Sequence, residues 1–366
     1  PKLTIGIEEE YQIVHPETRE LHSYIQEFLD EGRTILKDQI KPEFLQSQVE
    51  VGSNICGDIH EARAEFVRLR STVCKLAEEK GLCVAAAGTH PFSKWSDQKI
   101  TAGERYTAHE QNMADIARRM LVFGMHVHIG IDDPDVRVDV MNQARYFVPH
   151  LLALSTSSPF WHGRETGLKS YRTIIMNDLP RAGLPPHFES FTAFERFVDT
   201  LMKTGCIDEP TKIWWDIRPH PKFPTIEFRF VDICSRIDEA VCLTALFQAL
   251  VAKLIKLRRS NIAWRQYRRN LITENKWRAV RHGKDGVLID FGRRREVTLK
   301  SLVFEILELV DDVVDDLGVR KDVEYVHTIL EHGTSADRQL AVYKETGSLG
   351  AVVDHIIEET KHGCDV

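Results

Sequence analysis

Charged residues stand two positions apart on apolar strands in two distant segments of the chain. Near the start, Glu8 and Glu10 lie in the stretch GIEEEY, and far downstream Glu227 and Arg229 lie in the stretch TIEFRF. Residues i and i+2 of a strand share a face, so the members of each pair point the same way. Burying an unpaired carboxylate among apolar side chains costs several kcal/mol unless a cation compensates the charge. The pattern therefore predicts a bound metal ion.

Two further segments offer ligands of the same kind. His126 and His128 alternate along the stretch GMHVHIG. The other segment supplies four polar side chains, which are Glu43, Gln46, Gln48 and Glu50. A set rich in carboxylates with one or two imidazoles suits Mg²⁺ or Mn²⁺ better than zinc, which prefers Cys and His. We therefore predict a site for Mg²⁺ or Mn²⁺.

Each segment taken alone has a simpler explanation. Glu8 and Glu10 could form the solvated face of a sheet, and the two histidines could be ordinary hydrogen-bonded imidazoles. Glu227 and Arg229 could form a same-face salt bridge of little energetic value. Four strands that each carry an acidic or imidazole face among apolar neighbours are better explained by one shared metal site.

Composition limits the class of protein. The chain has 366 residues, of which 43% are hydrophobic and 28% charged, and its formal net charge is −7. These values are typical of a globular protein with a large core, and the absence of a basic tail or helix face argues against nucleic acid as a partner. The seven cysteines contain no C-x-x-C pair, which argues against a disulfide scaffold. Since no apolar run of about 18 residues occurs, we expect a cytoplasmic protein without a signal peptide or membrane span.

Short strands separated by helices carry the candidate ligands. Alternating patterns predict strands over residues 4–14, 45–51, 84–88, 124–131, 213–218 and 225–231. Apolar residues at helical spacing predict helices over residues 58–80, 104–122, 137–154, 192–204 and 238–256. Asp58, with Glu61 three positions later, is the expected N-terminal cap of the first of these helices. Residues 158–187 are rich in glycine and proline and predict a long, ordered, ligand-facing loop.

The last third of the sequence is almost wholly helical in pattern, with later helices over residues 301–316 and 349–361. We therefore predict a single catalytic domain, residues 1–366. Residues 1–237 would carry the sheet and the active site, and residues 238–366 would form a helical part packed on it. Within the first part, Asp216 and Arg218 are expected to line the pocket for an acid or an amine.

Five long motifs resemble those of a known family, and together they cover nearly the whole chain in order. They are GIEEEY, EFLQSQVE, GMHVHIG, SPFWHGRETGLKSYR and WWDIRPHPKFPTIEFRFVD. In these motifs the chain resembles the carboxylate-amine ligases of the glutamate-cysteine ligase type 2 group, which are related to glutamine synthetase. The resemblance implies an α+β fold in which a mainly antiparallel, curved sheet forms a funnel-like active site. Helices would flank the sheet, and ATP and the acid would enter from opposite ends.

The resemblance also implies how the ligands divide between two ions. The implied sets are Glu10, Glu43 and Glu50 for one ion, and Glu8, His126 and Glu227 for a second ion beside the nucleotide phosphates. The seven-residue step from Glu43 to Glu50 would place them on opposite faces of an unbroken strand. Glu43 is therefore expected in the preceding loop or beyond a bulge.

The family activates a carboxylic acid with ATP, and an amine then displaces phosphate from the acyl phosphate. Two cations would neutralise the repulsion between the two anionic reactants. Arg229 is the candidate for stabilising the transferred phosphoryl group, unless it is a structural partner of Glu227 or Glu8. Arg172 is the candidate for holding a carboxylate or phosphate, unless it only stabilises its loop. His128 could contact phosphate or transfer a proton.

The sequence thus predicts an ATP-dependent carbon-nitrogen ligase, with glutamate and cysteine as the family's default substrates and a homodimer as the implied state. A guanidino kinase-like phosphotransferase is the alternative, since it shares the fold and the ions. A metal-dependent amidohydrolase would also use His-x-His, but the acidic opening strand disfavours it, and the full ligand set disfavours a non-catalytic relative. No P-loop motif is present, so ATP binding must use the funnel.

Overall fold

A seven-stranded antiparallel sheet forms the centre of the fold. The structure is a computed structural model that describes residues 2–23 and 25–365, without the side chains of residues 25–27, 105, 108 and 109. The strands are β1 (Ile5–Val14), β2 (Ile40–Pro42), β3 (Gln48–Gly52), β4 (Cys83–Ala85), β5 (Gly124–Gly130), β6 (Phe160–Trp161), β7 (Arg164–Glu165), β8 (Ala182–Gly183), β9 (Trp214–Trp215), β10 (Ile217–Pro219), β11 (Thr225–Asp232), β12 (Val287–Asp290) and β13 (Arg295–Thr298).

The sheet has the strand order β10-β11-β5-β1-β3-β2, and β4 pairs with the far end of β1. Strand β1 is therefore central, and its first half pairs with β5 while its second half pairs with β3. Strands β6 with β7, β8 with β9, and β12 with β13 form separate two-stranded sheets. Because β1 lies between the strands that carry the other candidate ligands, the sheet brings distant segments of the chain side by side.

Helices cover the sheet and form most of the C-terminal part. They are α1 (Ile25–Leu36), α2 (Ile59–Glu79), α3 (Glu104–Met113), α4 (Asp115–Arg118), α5 (Pro134–Ala144), α6 (Val148–Ala153), α7 (Tyr171–Asn177), α8 (Phe191–Lys203), α9 (Ile237–Arg259), α10 (Arg269–His282), α11 (Leu299–Leu317), α12 (Arg320–Glu324), α13 (Val326–His332), α14 (Ser335–Thr346) and α15 (Leu349–Lys361). Short 3-10 turns lie at Lys37–Gln39, Trp95–Asp97, Arg145–Phe147, Pro210–Lys212 and Gly283–Asp285.

The two faces of the sheet differ in chemistry because strand side chains alternate. On one face, Ile7, Val127 and Phe228 join a hydrophobic core that includes much of α9. The opposite face, here called the polar face, carries Glu8, Glu10, His126, His128 and Glu227. Burial of the apolar face thus holds the polar side chains in one fixed layer.

Glu9 is an exception, since it is a carboxylate on the apolar face of β1. It is 2% exposed and pairs with Arg70 of α2, which is fully buried. Arg70 also donates to the backbone carbonyls of Ser235 at 2.6 Å and Cys234 at 3.0 Å, and Tyr11 donates its hydroxyl to Glu9. The network connects β1, α2 and the segment after β11, and every charge within it is compensated.

Helix α9 has the length and mean hydropathy of a membrane span, and it is the one such helix in the part of the chain that is described. Within its most apolar window, 78% is buried inside the protein. A helix buried in the core of a protein can have the same length and mean hydropathy as a membrane span.

The predicted elements agree with the structure in outline, and the fold class is confirmed. Asp58 caps α2 by accepting hydrogen bonds from the backbone amides of His60 and Glu61, both at 2.9 Å. The predicted helix over residues 104–122 is wrong as a single element, because Ala114 has φ +49° and divides it into α3 and α4. The predicted helix over residues 137–154 begins earlier, at Pro134, where Asp133 caps it, and a 3-10 turn separates it from α6.

Other elements of the structure differ from the predicted ones or were not predicted. The stretch over residues 158–187 is more structured than a loop, since it contains the β6–β7 hairpin and α7, which carries Arg172. The strand predicted over residues 213–218 is interrupted at Asp216, so that β9 pairs with β8 while β10 joins the main sheet. Helices α1, α10 and α14 and the β12–β13 hairpin were not predicted.

We expect Arg70→Met to lower the free energy of unfolding by about 3 to 5 kcal/mol, because Glu9 would become a buried charge without its partner. Arg68→Met is the matched control on the same helix. Its partner is Glu65, and 40% of the Arg68 side chain is exposed, so its loss should be at most about 1 kcal/mol. Urea denaturation measures both, and equal losses would contradict the role given to Arg70.

Candidate active site

Cross-strand register places the candidate ligands of the polar face beside one another. Glu8 stands opposite His126, Glu227 opposite His128, and Glu10 opposite Glu50. Directly paired residues of antiparallel strands point to the same face, with Cβ atoms about 5 Å apart. Four neighbouring strands therefore contribute to one continuous layer of acidic and imidazole side chains.

The first cluster consists of Glu10, Glu43 and Glu50, whose carboxylate oxygens lie within 4.8 Å of one another. Glu10 accepts a hydrogen bond at 2.6 Å from the backbone amide of Gly124. Glu43 lies in the segment between β2 and β3, as expected from its spacing, and not on the strand itself. Lys41 is the cation beside this cluster, with its Nζ 3.3 Å from Glu50, but half of its side chain is exposed.

Burial and mutual repulsion dominate the electrostatics of the first cluster. Burial, together with the charge of Glu50, raises the pKa of Glu10 to about 7, against the attraction of Arg172. Burial and the charges of Glu50 and Glu10 raise the pKa of Glu43 well above its usual range. The pKa of Glu50 is also raised, by burial and by Glu8. The nearby cations Lys41 and Arg172 therefore do not fully compensate these three carboxylates.

The second cluster consists of Glu8, His128 and Glu227, which also offer ligand atoms within 4.8 Å of one another. The Nδ1 of His128 bonds the Thr225 hydroxyl at 3.1 Å. Its Nε2 lies 3.9 Å from Glu8 and 4.0 Å from Glu227, so it faces both carboxylates. The sequence predicted that His128 contacts phosphate or transfers a proton, and the geometry also gives it the position of a metal ligand.

His126, which the resemblance assigns to this ion, lies at the edge of the second cluster. Its Nδ1 is 3.0 Å from Glu8 and 3.5 Å from Arg229. Burial and the charge of Arg229 lower the pKa of His126 to about 4, so the ring is neutral and able to act as a ligand at neutral pH. Both histidines thus flank Glu8, and the assignment of His126 stays a prediction.

Cations of the protein already compensate the second cluster. Arg218 donates to Glu227 at 2.6 Å from the neighbouring strand β10, and Arg229 donates to the other oxygen of Glu227. Although burial would raise it, these arginines hold the pKa of Glu227 well below its usual range. Burial likewise opposes the charged form of Glu8, but the hydrogen bond with His126 and the charge of His128 bring its pKa to about 2. This cluster is ionised, and the first one resists ionisation.

Arg172 is a residue of α7, and its side chain lies between this helix and the sheet. The residue is 2% exposed. Its guanidinium packs against Gly124, where any side chain would collide with it, and donates to the backbone carbonyl of Arg229 at 3.3 Å. The Nε atoms of both Arg172 and Arg229 are buried and have no hydrogen-bond partner. Two such donors beside one cavity indicate a site for an anion.

Some predicted side chains have a structural role instead. Arg218 lines the catalytic cavity, where it also holds Glu227, whereas Asp216 does not line that cavity and forms a buried ion pair with Lys276 at 2.8 Å. The amide of Gln48 donates to the carbonyl of Val122 at 2.8 Å and that of Gln46 to the carbonyl of Ile100 at 3.3 Å. These glutamines therefore stabilise neighbouring backbone.

Sequence reasoning missed residues that support the site from behind. Asp232 accepts hydrogen bonds from the hydroxyls of Ser158 and Ser170, at 2.7 and 2.9 Å, and from the backbone amide of Ser157 at 2.9 Å. These serines flank the segment before Arg172, whose own amide donates to Ser158 at 3.1 Å. Asp232 is the last residue of the motif that contains Glu227 and Arg229. Its position in that motif was the sequence signal that could have identified it as part of the site.

Two adjoining cavities contain these groups. The catalytic cavity, of about 350 Å³, is lined by the first cluster, by the two carboxylates of the second cluster, and by His126, Arg172, Arg218 and Arg229. A second cavity, of about 610 Å³, shares Arg218 and His220 with it and is otherwise lined mainly by apolar and aromatic side chains, including Phe191, Phe194, Ile213 and Phe223. A ligand with a charged end and a flat apolar end could occupy both.

The donor set fits divalent cations. All three groups of the first cluster are carboxylates, and the second cluster combines two carboxylates with an imidazole, as hard cations such as Mg²⁺ or Mn²⁺ require. A cation bound at the first cluster would offset the repulsion between its three crowded carboxylates.

Comparison with known proteins identifies the family. The family model of glutamate-cysteine ligase family 2 (GCS2) matches residues 4–355. Relatives from Chloroflexus aurantiacus and Herpetosiphon aurantiacus, both named "Putative glutamate--cysteine ligase 2", are 58% and 56% identical over 360 residues, which is 98% of this chain and 92% and 94% of theirs. The chain therefore belongs to glutamate-cysteine ligase family 2. Its class of enzyme is the ATP-dependent carbon-nitrogen ligases.

Solved structures share the fold at low sequence identity. The glutamate-cysteine ligase from Francisella tularensis in complex with AMP has a TM-score of 0.75 at 13% identity, covering 100% of this chain and 90% of that one. A bifunctional glutathione synthetase from Pasteurella multocida has a TM-score of 0.69 at 13% identity, covering 98% of this chain and 52% of that one. The architecture of sheet and helices is thus shared with these proteins.

We expect Glu43→Gln to raise the melting temperature of the metal-free protein at pH 8 by roughly 2–4 °C. The pKa of Glu43 is raised on folding, so burial of this group opposes folding above the unfolded-state value, and a neutral amide removes that cost. The same variant should lose most of the stabilisation that Mg²⁺ or Mn²⁺ gives to the native protein.

Differential scanning fluorimetry with EDTA or metal measures both effects. Glu79→Gln, at an exposed position near the end of α2, is the control and should behave as the native protein. An undiminished metal response in Glu43→Gln would exclude Glu43 as a ligand.

Proposed function

We propose that this protein joins a carboxylic acid to an amine through an acyl phosphate, releasing ADP and phosphate. The observation that carries the proposal is the pair of ligand clusters side by side in one cavity, with two buried arginines that have unpaired donors beside them. Glutamate and cysteine are the default substrates of the family, and we propose weak activity with them.

Both clusters would hold divalent cations, Mg²⁺ or Mn²⁺. Glu10, Glu43 and Glu50 would hold one ion, and Glu8 and Glu227 with an imidazole of β5 would hold another. Bound there, such ions would neutralise the negative charge of the triphosphate and of the acid, which otherwise repel each other. The protein's own part is to fix the ligands on paired strands, so that little rearrangement is needed on binding.

We propose that ATP lies across the two cavities, with its base in the apolar second cavity and its phosphates beside Glu8 and Glu227. His220 and Arg218 line both cavities and therefore mark the passage between them. The ring of His220 stacks on Phe223 with centroids 4.6 Å apart, which provides a flat aromatic surface for a base.

Arg229 and Arg172 would act on the reacting groups. The acid would lie beside Arg172 and Arg229, which both line the catalytic cavity, so that one carboxylate oxygen can attack the γ-phosphorus as ADP leaves. Arg229 is held by Glu227 and is permanently charged, which suits stabilisation of the charge on the phosphoryl oxygens in flight. The amine then attacks the acyl carbon, and phosphate leaves with the oxygen it received from the acid.

A kinase-like transfer is the competing reaction, and oxygen labelling distinguishes the two. We expect an acid labelled with ¹⁸O in its carboxylate to deliver one ¹⁸O to the released phosphate, as the acyl phosphate route requires. Mass spectrometry of phosphate and of the amide measures this. A stable phosphorylated acceptor that keeps the label would support the kinase, and formation of AMP with pyrophosphate would contradict both. Turnover by Glu227→Gln at the native rate with saturating metal would exclude the proposed site.

We expect Phe223→Ala to raise KM for ATP about tenfold with a smaller change in kcat, because stacking of a base on an aromatic ring is worth roughly 1–3 kcal/mol. Phe304→Ala is the matched control, since the ring of Phe304 also lies beside a histidine, His327, with centroids 5.4 Å apart, but lines neither cavity. Steady-state kinetics with varied ATP measures both variants. An unchanged KM in Phe223→Ala would place the base elsewhere.

The homodimeric state and the cytoplasmic location remain predictions from the sequence. Size-exclusion chromatography with light scattering would measure the first.

A further inference from the structure

Apolar side chains form part of the lining of the catalytic cavity, which bears on the acid that the proposed ligase reaction uses. Some of them lie near the first cluster, since Phe44 directly follows Glu43 and Val122 stands two residues before Gly124, whose amide binds Glu10. Seven of these side chains, here called the apolar wall, are Phe44, Tyr106, Met120, Val122, Met176, Leu179 and Trp214.

The apolar wall is supported by the core behind it. Phe44 and Val122 belong to a buried hydrophobic cluster, and Tyr106, Met120 and Met176 pack against the same cluster. Tyr106 is further fixed by donating its hydroxyl to the carbonyl of Pro42 at 2.9 Å. A wall held in this way keeps its shape and its apolar surface in the cavity. Methionine side chains within it can adapt to ligands of different outline.

Helix α7 carries one member of the apolar wall, Met176, and also Arg172, the arginine that would receive the acid. Arg172 and Met176 lie four residues apart on α7, so they occupy the same side of that helix. Both line the catalytic cavity. A carboxylate at Arg172 would therefore place the group attached to it near Met176 and its apolar neighbours.

The charged groups of this cavity accommodate one carboxylate better than an amino acid. Lys41 is paired with Glu50, and Lys212 with Asp208 at 2.6 Å, whereas the Nε atoms of Arg172 and Arg229 have no partner. Among the carboxylates that line the cavity in the described part of the chain, all but Glu209 belong to the two ligand clusters. An α-ammonium group would thus have Glu209 alone to compensate it.

From this arrangement, and resting on the proposed ligase reaction, we propose that the preferred acid is an apolar carboxylic acid. Its carboxylate binds at Arg172 and Arg229, and its aliphatic or aromatic body lies against the apolar wall. Glutamate fits the same carboxylate position, but its charged α-substituents would face apolar side chains, which costs binding energy.

Hydroxylamine trapping tests the acid without knowledge of the amine. Hydroxylamine attacks an acyl phosphate at carbon and releases phosphate, so each accepted acid yields a hydroxamate and ADP. With Mg²⁺ and ATP, we expect kcat/KM for 3-phenylpropionate or hexanoate to exceed that for glutamate at least tenfold. An equal or higher value for glutamate would overturn this inference and leave the ligase reaction standing. Absence of hydroxamate and ADP with every acid would overturn the ligase reaction itself.

A pair of variants tests whether the apolar wall contacts the acid. Met176→Gln keeps the size of the side chain but makes it polar, and it should lower kcat/KM for 3-phenylpropionate about tenfold with little change for glutamate. Met113→Gln is the control, because Met113 packs against the same hydrophobic cluster but lines a different cavity. Equal effects of Met176→Gln on both acids, or equal effects of the two variants, would overturn the contact.

Discussion

The buried ion pair between Glu9 and Arg70 is the interaction on which the site depends. Strand β1 carries three consecutive glutamates, and alternation forces one of them onto the apolar face of the sheet. Arg70 offsets the cost of this placement, because its positive charge compensates the charge of Glu9. The Arg70 guanidinium also donates to two backbone carbonyls. A shift of β1 by one residue would bury two carboxylates against the core and turn one toward the cavity. The pair therefore helps to fix which glutamates line the catalytic cavity.

The polar face that results concentrates negative charge, and the protein compensates it unevenly. Arg218 and Arg229 bind Glu227, while His126 bonds Glu8, so these carboxylates remain ionised in the folded chain. The cluster of Glu10, Glu43 and Glu50 has an ion pair with the half-exposed Lys41, and Arg172 attracts Glu10 without a direct bond to it. Burial and the repulsion between neighbouring carboxylates therefore keep the pKa values of these groups raised. The uneven compensation favours a cation most strongly at the first cluster, on the side of the cavity that we assign to the acid.

Much of the polar face was predictable because strand periodicity is a local property. Glu8, Glu10 and Glu227 alternate with apolar residues, so their common orientation follows from the pattern of each strand. The break at Ala114 was not predictable, since no glycine or proline marks it, and the short strands β8 and β9 carry too few residues to show a period.

The sequence by itself determined the family, the chemistry of the ligand set and the face on which each strand carries its charges. These follow from residue types and from spacings within single elements. Only the tertiary structure decided which charges compensate one another: Arg218 with Glu227, Arg70 with Glu9, Asp216 with Lys276, and His128 between Glu8 and Glu227. It also decided that an apolar wall stands beside the acidic cluster. Such contacts depend on strand register and helix packing, which bring together residues far apart in the chain, and no local pattern encodes those distances.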